Sequence, residues 1–299
     1  MDFNTKKFQR NFRAVKESSF KDPGNYRISL APKIRRIFAE ICKRIKEVKI
    51  QGARNVAKSA LEAYSLNPTE SAKKKLISLR PTEPMLVNVL NLAEKEPKDR
   101  ILKHFDDAQG KINQFVLKII NNNSIIFTHC HSTNVVNALI YAKKHGKRFE
   151  VYNTETRPLF QGRKTAKALA KAGIKVTMVV DSAVGQLFED KSKKINAMFI
   201  GADALLNNGD AINKIGSNMF AELAYDNEIP VYVIADSWKF SKRTVKIEER
   251  GHKEIWKNAP KHIKISNPAF ETVKAKYINA IVSELGRLSP RQFVKKVRK

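Results

Sequence analysis

From about residue 120 the chain alternates short apolar runs with helix-like stretches, and few folds accommodate that alternation. Strand candidates are 124–128 (SIIFT), 149–152 (FEVY), 175–180 (KVTMVV), 196–200 (NAMFI) and 230–235 (PVYVIA). Runs that are apolar at almost every position suit strands buried on both faces. Residues 133–145, 160–172, 182–189 and 211–227 between or after them read as helices, and Gly146 and Gly173 sit where two of these helices should stop. Strand–helix alternation of this kind implies a parallel, doubly wound sheet.

The first ~115 residues carry a helical pattern instead. Ile34, Ile37, Phe38, Ile41, Ile45 and Val48 form one stripe, and Ala53, Val56, Ala57, Ala60, Leu61 and Tyr64 a second. A third helix covers 70–78, a fourth follows Pro84, and Ile112, Phe115, Val116, Ile119 and Ile120 mark a fifth. The fold class is therefore α/β. An N-terminal helical domain (1–118) precedes a Rossmann-like domain (119–299), a parallel sheet flanked by helices that ends in a basic tail. No G-x-G-x-x-G follows the first strand and no P-loop occurs, so the sheet does not read as a dinucleotide domain.

At 299 residues, 42% hydrophobic and 29% charged, the chain is expected to be globular. No apolar run approaches the ~18 residues of a membrane span. The opening MDFNTKKFQRNFRAVKESSF lacks a signal-peptide apolar core. Two cysteines, Cys42 and Cys130, offer no pairing framework, which implies a reduced, cytoplasmic setting. The net charge of +28 is spread along the chain, apart from a cationic block at 287–299. Such a surface attracts phosphorylated metabolites and, without sequence preference, RNA.

Two strand ends carry the chemistry. SIIFTHCHST (124–133) runs into Cys130, and AMFIGADALL (197–206) into Asp203. In open parallel sheets ligands bind beyond the carboxyl ends of the strands. Cys130 is either a packed thiol or a reactive one; Ser132 and Thr133 read as a helix start, and a thiol beside a helix N-terminus has a lowered pKa. Asp203 is either a turn residue or a carboxylate that shares acid and base work with the thiol. His129 and His131 in an extended segment would point away from Cys130, and without a second ligand cluster they do not read as a metal site. Cys42 falls in a helical stripe and reads as packing.

Phosphate ligands follow the same rim. Arg157, Gln161, Gly162 and Arg163 surround a loop-to-helix start, and Asn213 and Lys214 lie at the first turn of the helix expected at 211–227. Gly52, Ala53 and Arg54 open the second helical stripe, Arg80 sits in LRPTEP, and Lys239 follows the last strand in ADSWKF. A diphosphorylated substrate needs two anion sites of this kind.

At these residues the sequence resembles a known superfamily. THCHST, TETRPLFQGR, GADAL, INKIGS, SWKF and NPAF occur in the order shared by archaeal ribose-1,5-bisphosphate isomerases, methylthioribose-1-phosphate isomerases and the alpha, beta and delta subunits of translation initiation factor 2B. The match runs from about residue 50 to 286. Its enzymes use a Cys and an Asp that align with Cys130 and Asp203, a pair the initiation-factor subunits generally lack. The chain's length, and IQGARNVAKSAL in place of an R-G-A-P-A-I-G element, favour the bisphosphate enzyme. Two departures stand out: Gln51 where relatives often have Arg, and Glu271-Thr272-Val273-Lys274 where they tend to show Asp and a Thr-Pro-Pro run.

The resemblance implies isomerisation of α-D-ribose 1,5-bisphosphate to D-ribulose 1,5-bisphosphate by Cys130 and Asp203, without metal or organic cofactor, in nucleoside or AMP salvage. Ser132 joins the substrate-binding set on the same basis. The resemblance also implies a homodimer or homohexamer and leaves activation by a nucleotide such as AMP open. Two alternatives stay open: an initiation factor 2B-like regulatory subunit, and a methylthioribose-1-phosphate isomerase.

Overall fold

Among the described residues five helices come first, as the apolar stripes require. The structure, a computed structural model, describes residues 25–299, with side chains from residue 32. The segment read as lacking a signal-peptide core lies outside the described residues. Helices α1 (Asn25–Lys46), α2 (Ala53–Leu66), α3 (Glu70–Ser78), α4 (Pro84–Leu92) and α5 (Lys98–Ile119) follow one another. Cys42 packs with Ile41, Ile45, Val56 and Leu90, as its stripe predicts, and burial pushes its thiol pKa up. α5 belongs to two cores. Its Ile101 and Phe105 join Ala57, Leu61 and Met85, whereas Ile112 and Val116 join the cluster around Val135, Leu139 and Phe199.

The alternating region forms β1 (Ser124–Thr128), α6 (Thr133–Lys144), β2 (Phe149–Thr154), α7 (Gln161–Lys171), β3 (Lys175–Val179), α8 (Val184–Glu189) and β4 (Ile195–Ile200). Then come β5 (Ala204–Leu206), β6 (Ala211–Lys214), α9 (Ser217–Asp226), β7 (Val231–Ile234), β8 (Phe240–Ser241), β9 (Phe270–Val273), β10 (Ala280–Ser283), β11 (Gly286–Leu288) and α10 (Pro290–Val297). Gly146 and Gly173 take φ of 83° and 74° just past α6 and α7, the left-handed stop expected of them.

Seven strands make the main sheet in the order β11-β10-β7-β4-β1-β2-β3. All neighbours are parallel except β10 with β11. Strand order reverses between β1 and β4, so the crevice at their carboxyl ends is the topological switch point. In parallel register Thr128 stands beside Phe199, which brings the residues after both strands to one place.

A second sheet sits beyond that rim, in the order β8-β5-β6-β9. It corrects the helix expected over 211–227, because residues 211–214 are strand and helix begins only at Ser217. Ile212 and Ile215 keep helical spacing with Met219, but β6 pairs antiparallel with both β5 and β9, and Gly216 turns the chain at φ 97°. Asn213 and Lys214 therefore project from a strand rather than a helix start. The basic block at 287–299 is built into the fold, not a free tail. Ser289 and Gln292 form a capping box for α10, whose Phe293 and Val294 are buried. Among the described residues no helix is long and apolar enough to cross a membrane.

Candidate active site

Cys130 leaves β1 in the left-handed region at φ 66°, a conformation costing a non-glycine residue about 1–3 kcal/mol. The extended arrangement that would have pointed both flanking histidines away from the thiol does not form. A directed hydrogen-bond chain holds the turn instead. The carbonyl of Ile215 can only accept, so His129 Nε2 donates to it (3.0 Å) and Nδ1 accepts from the Thr154 hydroxyl (2.6 Å). Thr156 then donates to Thr154 at 3.1 Å and accepts the Cys130 N–H at 3.0 Å. Asp181 fixes the next loop by accepting the N–H groups of Thr156 and Arg157 at 2.8 and 2.6 Å. On the other side Thr165 donates to the Cys130 carbonyl (2.8 Å) and contacts His131 Nδ1 (3.0 Å). Burial lowers both histidines to about 4, so each is neutral at pH 7.

The cavity around Cys130 has about 770 Å³ of free space, its open mouth included. Gly52, Ala53 and Arg54 enter from the start of α2, with Arg54 donating to Asp106 at 2.6 Å. Gly201 and Asp203 come from the loop after β4, and Asn213 and Lys214 from β6. Ser132, Arg80, Gln161 and Lys239 complete the expected residues in the lining. Ser132 caps α6, and a Cβ on Gly201 would stand 2.5 Å from its Oγ.

Three expected ligands lie outside this lining. Arg157 and Arg163 lie over the Phe160 ring, 5.0 and 3.8 Å from its centroid, and Arg163 also pairs with Glu155 at 3.1 Å. Gly162 has a packing role. A Cβ there would stand 1.7 Å from the Thr154 carbonyl oxygen, so only glycine lets α7 start so close to β2.

Burial sets the electrostatics. It pushes the Cys130 thiol up to about 11, against the opposing pull of Lys214. The lowered thiol pKa expected from a nearby helix start is thus overridden by desolvation. Burial also raises Asp203, against Lys239, Arg80 and Lys214, and the same burial lowers Lys214 and Lys239. The free site consequently keeps a proton on sulfur and has cations arranged around Asp203.

Sequence reasoning missed Arg250 and Glu83. Arg250 lines the cavity and lies over Phe270, 5.6 Å from the ring centroid, with Lys214 at 5.0 Å over the same ring. It comes from the irregular stretch between β8 and β9, where no periodicity marks it. Glu83 is fully buried, with Arg80 at 2.5 Å, yet neither carboxylate oxygen has a hydrogen-bond partner, and burial lifts it to about 7. The i,i+3 spacing of Arg80 and Glu83 was the available signal. Arg80 Nη1, Arg250 Nη1 and Gln161 Oε1 are likewise buried without partners. Buried polar atoms of this kind ordinarily find a partner in the protein, in ordered water or in a bound group.

The chain matches the Initiation factor 2 subunit family over residues 25–290. It belongs to that family. Among family members, it is 36% identical to a ribose 1,5-bisphosphate isomerase of Methanocaldococcus jannaschii, over 85% of this chain and 92% of the relative. It is 31% identical to a methylthioribose-1-phosphate isomerase of Thermosipho melanesiensis, over 85% and 87%. The solved translation initiation factor eIF-2B of Pyrococcus horikoshii OT3 superposes with a TM-score of 0.75 at 25% identity, covering 86% of this chain and 98% of the other.

Proposed function

We propose that this family member converts α-D-ribose 1,5-bisphosphate to D-ribulose 1,5-bisphosphate. The observation that carries the reading is Cys130 and Asp203 meeting at the switch point, inside a cavity lined by Arg80 and Arg250, each with its Nη1 left without a hydrogen-bond partner. The likeness to an archaeal ribose 1,5-bisphosphate isomerase supports it.

Asp203 donates its proton to the ring oxygen as the C1–O bond opens. Cys130 as thiolate takes the proton from C2, giving an enol phosphate. The C2 hydroxyl returns a proton to Asp203, and the Cys130 thiol protonates C1. Both groups end as they began, and no electrons enter or leave. Acid and base each contribute ~10²–10⁴-fold, and positioning supplies much of the rest. Arg80, Lys214, Lys239 and Arg250 would hold the phosphates, with Gln161 Oε1 accepting from a sugar hydroxyl. In the free site the proton sits on sulfur, so the working form is the minority species in which it has moved to Asp203.

The same reading divides the chain into a helical unit to residue 118 and a sheet unit from 119, supported by their separate apolar clusters, with α5 seated in both. It places a homodimer or homohexamer in the cytoplasm, in nucleoside or AMP salvage. A methylthioribose-1-phosphate isomerase needs one anion site, which the number of cavity cations disfavours. The test is a coupled carboxylase assay with ribose 1,5-bisphosphate, with and without AMP. Turnover that vanishes in Cys130→Ser supports the assignment, and a fully active variant sinks it. The likeness to a solved initiation factor motivates a regulatory-subunit reading, which recovery of an initiation factor in a pull-down would favour.

A further inference from the structure

Outside the Cys130 cavity, three ligating side chains meet where the helical layer touches the main sheet. Asp236 follows β7, Glu284 follows the neighbouring strand β10, and His104 reaches over from α5. One ligand atom from each lies within 4.8 Å of the others. Asp236 is 3% exposed. Its Oδ1 contacts His104 Nε2 at 3.2 Å and accepts the Trp238 N–H at 2.9 Å. The imidazole lies flat on the Trp238 indole, 3.5 Å between centroids at 7°, which fixes the plane of the ring. Ser237 orients Glu284 through its N–H (3.1 Å) and its hydroxyl.

We propose that His104, Asp236 and Glu284 bind a divalent cation of the zinc class, which ties α5 to the carboxyl edge of the sheet. One imidazole with two carboxylates is a mixed nitrogen–oxygen donor set suited to zinc. Neighbouring ligands about 2.1 Å from one ion stand about 3.0–3.4 Å apart, and opposite ligands about 4 Å. The 3.2 Å between His104 and Asp236 falls in the first range, and Glu284 brings a carboxylate oxygen into the same cluster. Two adjacent carboxylates repel unless a positive charge lies between them, and a dication offsets both. His104 keeps a side-chain exposure of 23%, leaving solvent access for water ligands. The cation has no part in the isomerisation; its place is structural, three residues before Lys239.

The competing arrangement is the direct contact of His104 with Asp236 beside Glu284, without metal. The full chain, stripped with a chelator, is titrated with zinc by calorimetry while the His104 ring resonances are followed by NMR. One equivalent should bind, shift those resonances and raise the Tm by several degrees. Glu284→Gln and His104→Gln should each weaken binding at least tenfold. Resonances of His104 left unmoved by one equivalent of zinc overturn the site, whether or not the variants fold. So does an affinity unchanged in both variants.

Discussion

The Lys239 ammonium donates to the carbonyl of Ala202 at 2.6 Å, which fixes a buried cation on the peptide next to Asp203. Asn88 braces the same turn, donating to the carbonyls of Trp238 and Phe240 at 2.7 and 3.0 Å. Lys239 is the foremost charge opposing the burial-driven rise of the Asp203 pKa. Lys239→Met should raise that pKa further and move the acidic limb of the kcat/KM profile to higher pH. A limb that stays in place would separate Lys239 from the acid.

The complete pH profile tests the proton placement. The proposed mechanism requires a protonated Asp203 and a deprotonated Cys130, but the thiol, near 11, is the weaker acid of the two. The profile should be a bell, rising through the value of Asp203 and falling only near 11, with its plateau set by a minority species. Lys214 is the leading charge favouring the thiolate. Lys214→Met should therefore lower the plateau and move the alkaline limb up.

Arg250 should be read through substrate affinity. Loss of a charge-assisted contact from a desolvated guanidinium costs about 1.5–3 kcal/mol, or about tenfold to a hundredfold. Arg250→Met should raise KM for the bisphosphate by that factor with a smaller change in kcat. An unchanged KM in steady-state assays would remove Arg250 from the anion site.

Glu83 links the site to stability. Its carboxyl is lifted from 4.5 to about 7, so the folded chain holds that proton more tightly than the unfolded one. Stability from this group is fully present below about 4.5 and is lost as pH rises through about 7, by on the order of 3 kcal/mol. Glu83→Gln should flatten the Tm-versus-pH curve across that window; an unaltered slope would refute the shift.

Gly162→Ala tests the close approach at the head of α7. A Cβ placed 1.7 Å from the Thr154 carbonyl oxygen forces backbone to move, at the upper end of the overpacking range, about 3 kcal/mol. Denaturant unfolding should show the loss, and a variant as stable as the parent would mean the helix start can shift freely.

What the sequence discloses follows from which interactions are local. The central strands could be read because continuous apolar runs such as IIF and MFI have few homes besides a doubly covered sheet, and Cys130 and Asp203 because each ends such a run. The smaller sheet was hidden. β8 has two residues and β5 three, too few to show a period, and Ile212 of β6 stood at helical spacing from Ile215 until tertiary pairing overrode it. Arg250 lies in an irregular connection where nothing local marks it. The thiol's pKa depends on surrounding atoms from distant segments, so a helix start next to it in sequence pointed the wrong way.

α5, shared between two cores, has a mechanical consequence. Ile101 and Phe105 anchor one half and Ile112 and Val116 the other, so the helix acts as a splint across the junction. Neither cluster can melt without pulling this rod out of its neighbour. Heating should thus give one calorimetric transition, and the slowest-exchanging amides should run unbroken along α5 from one core into the next.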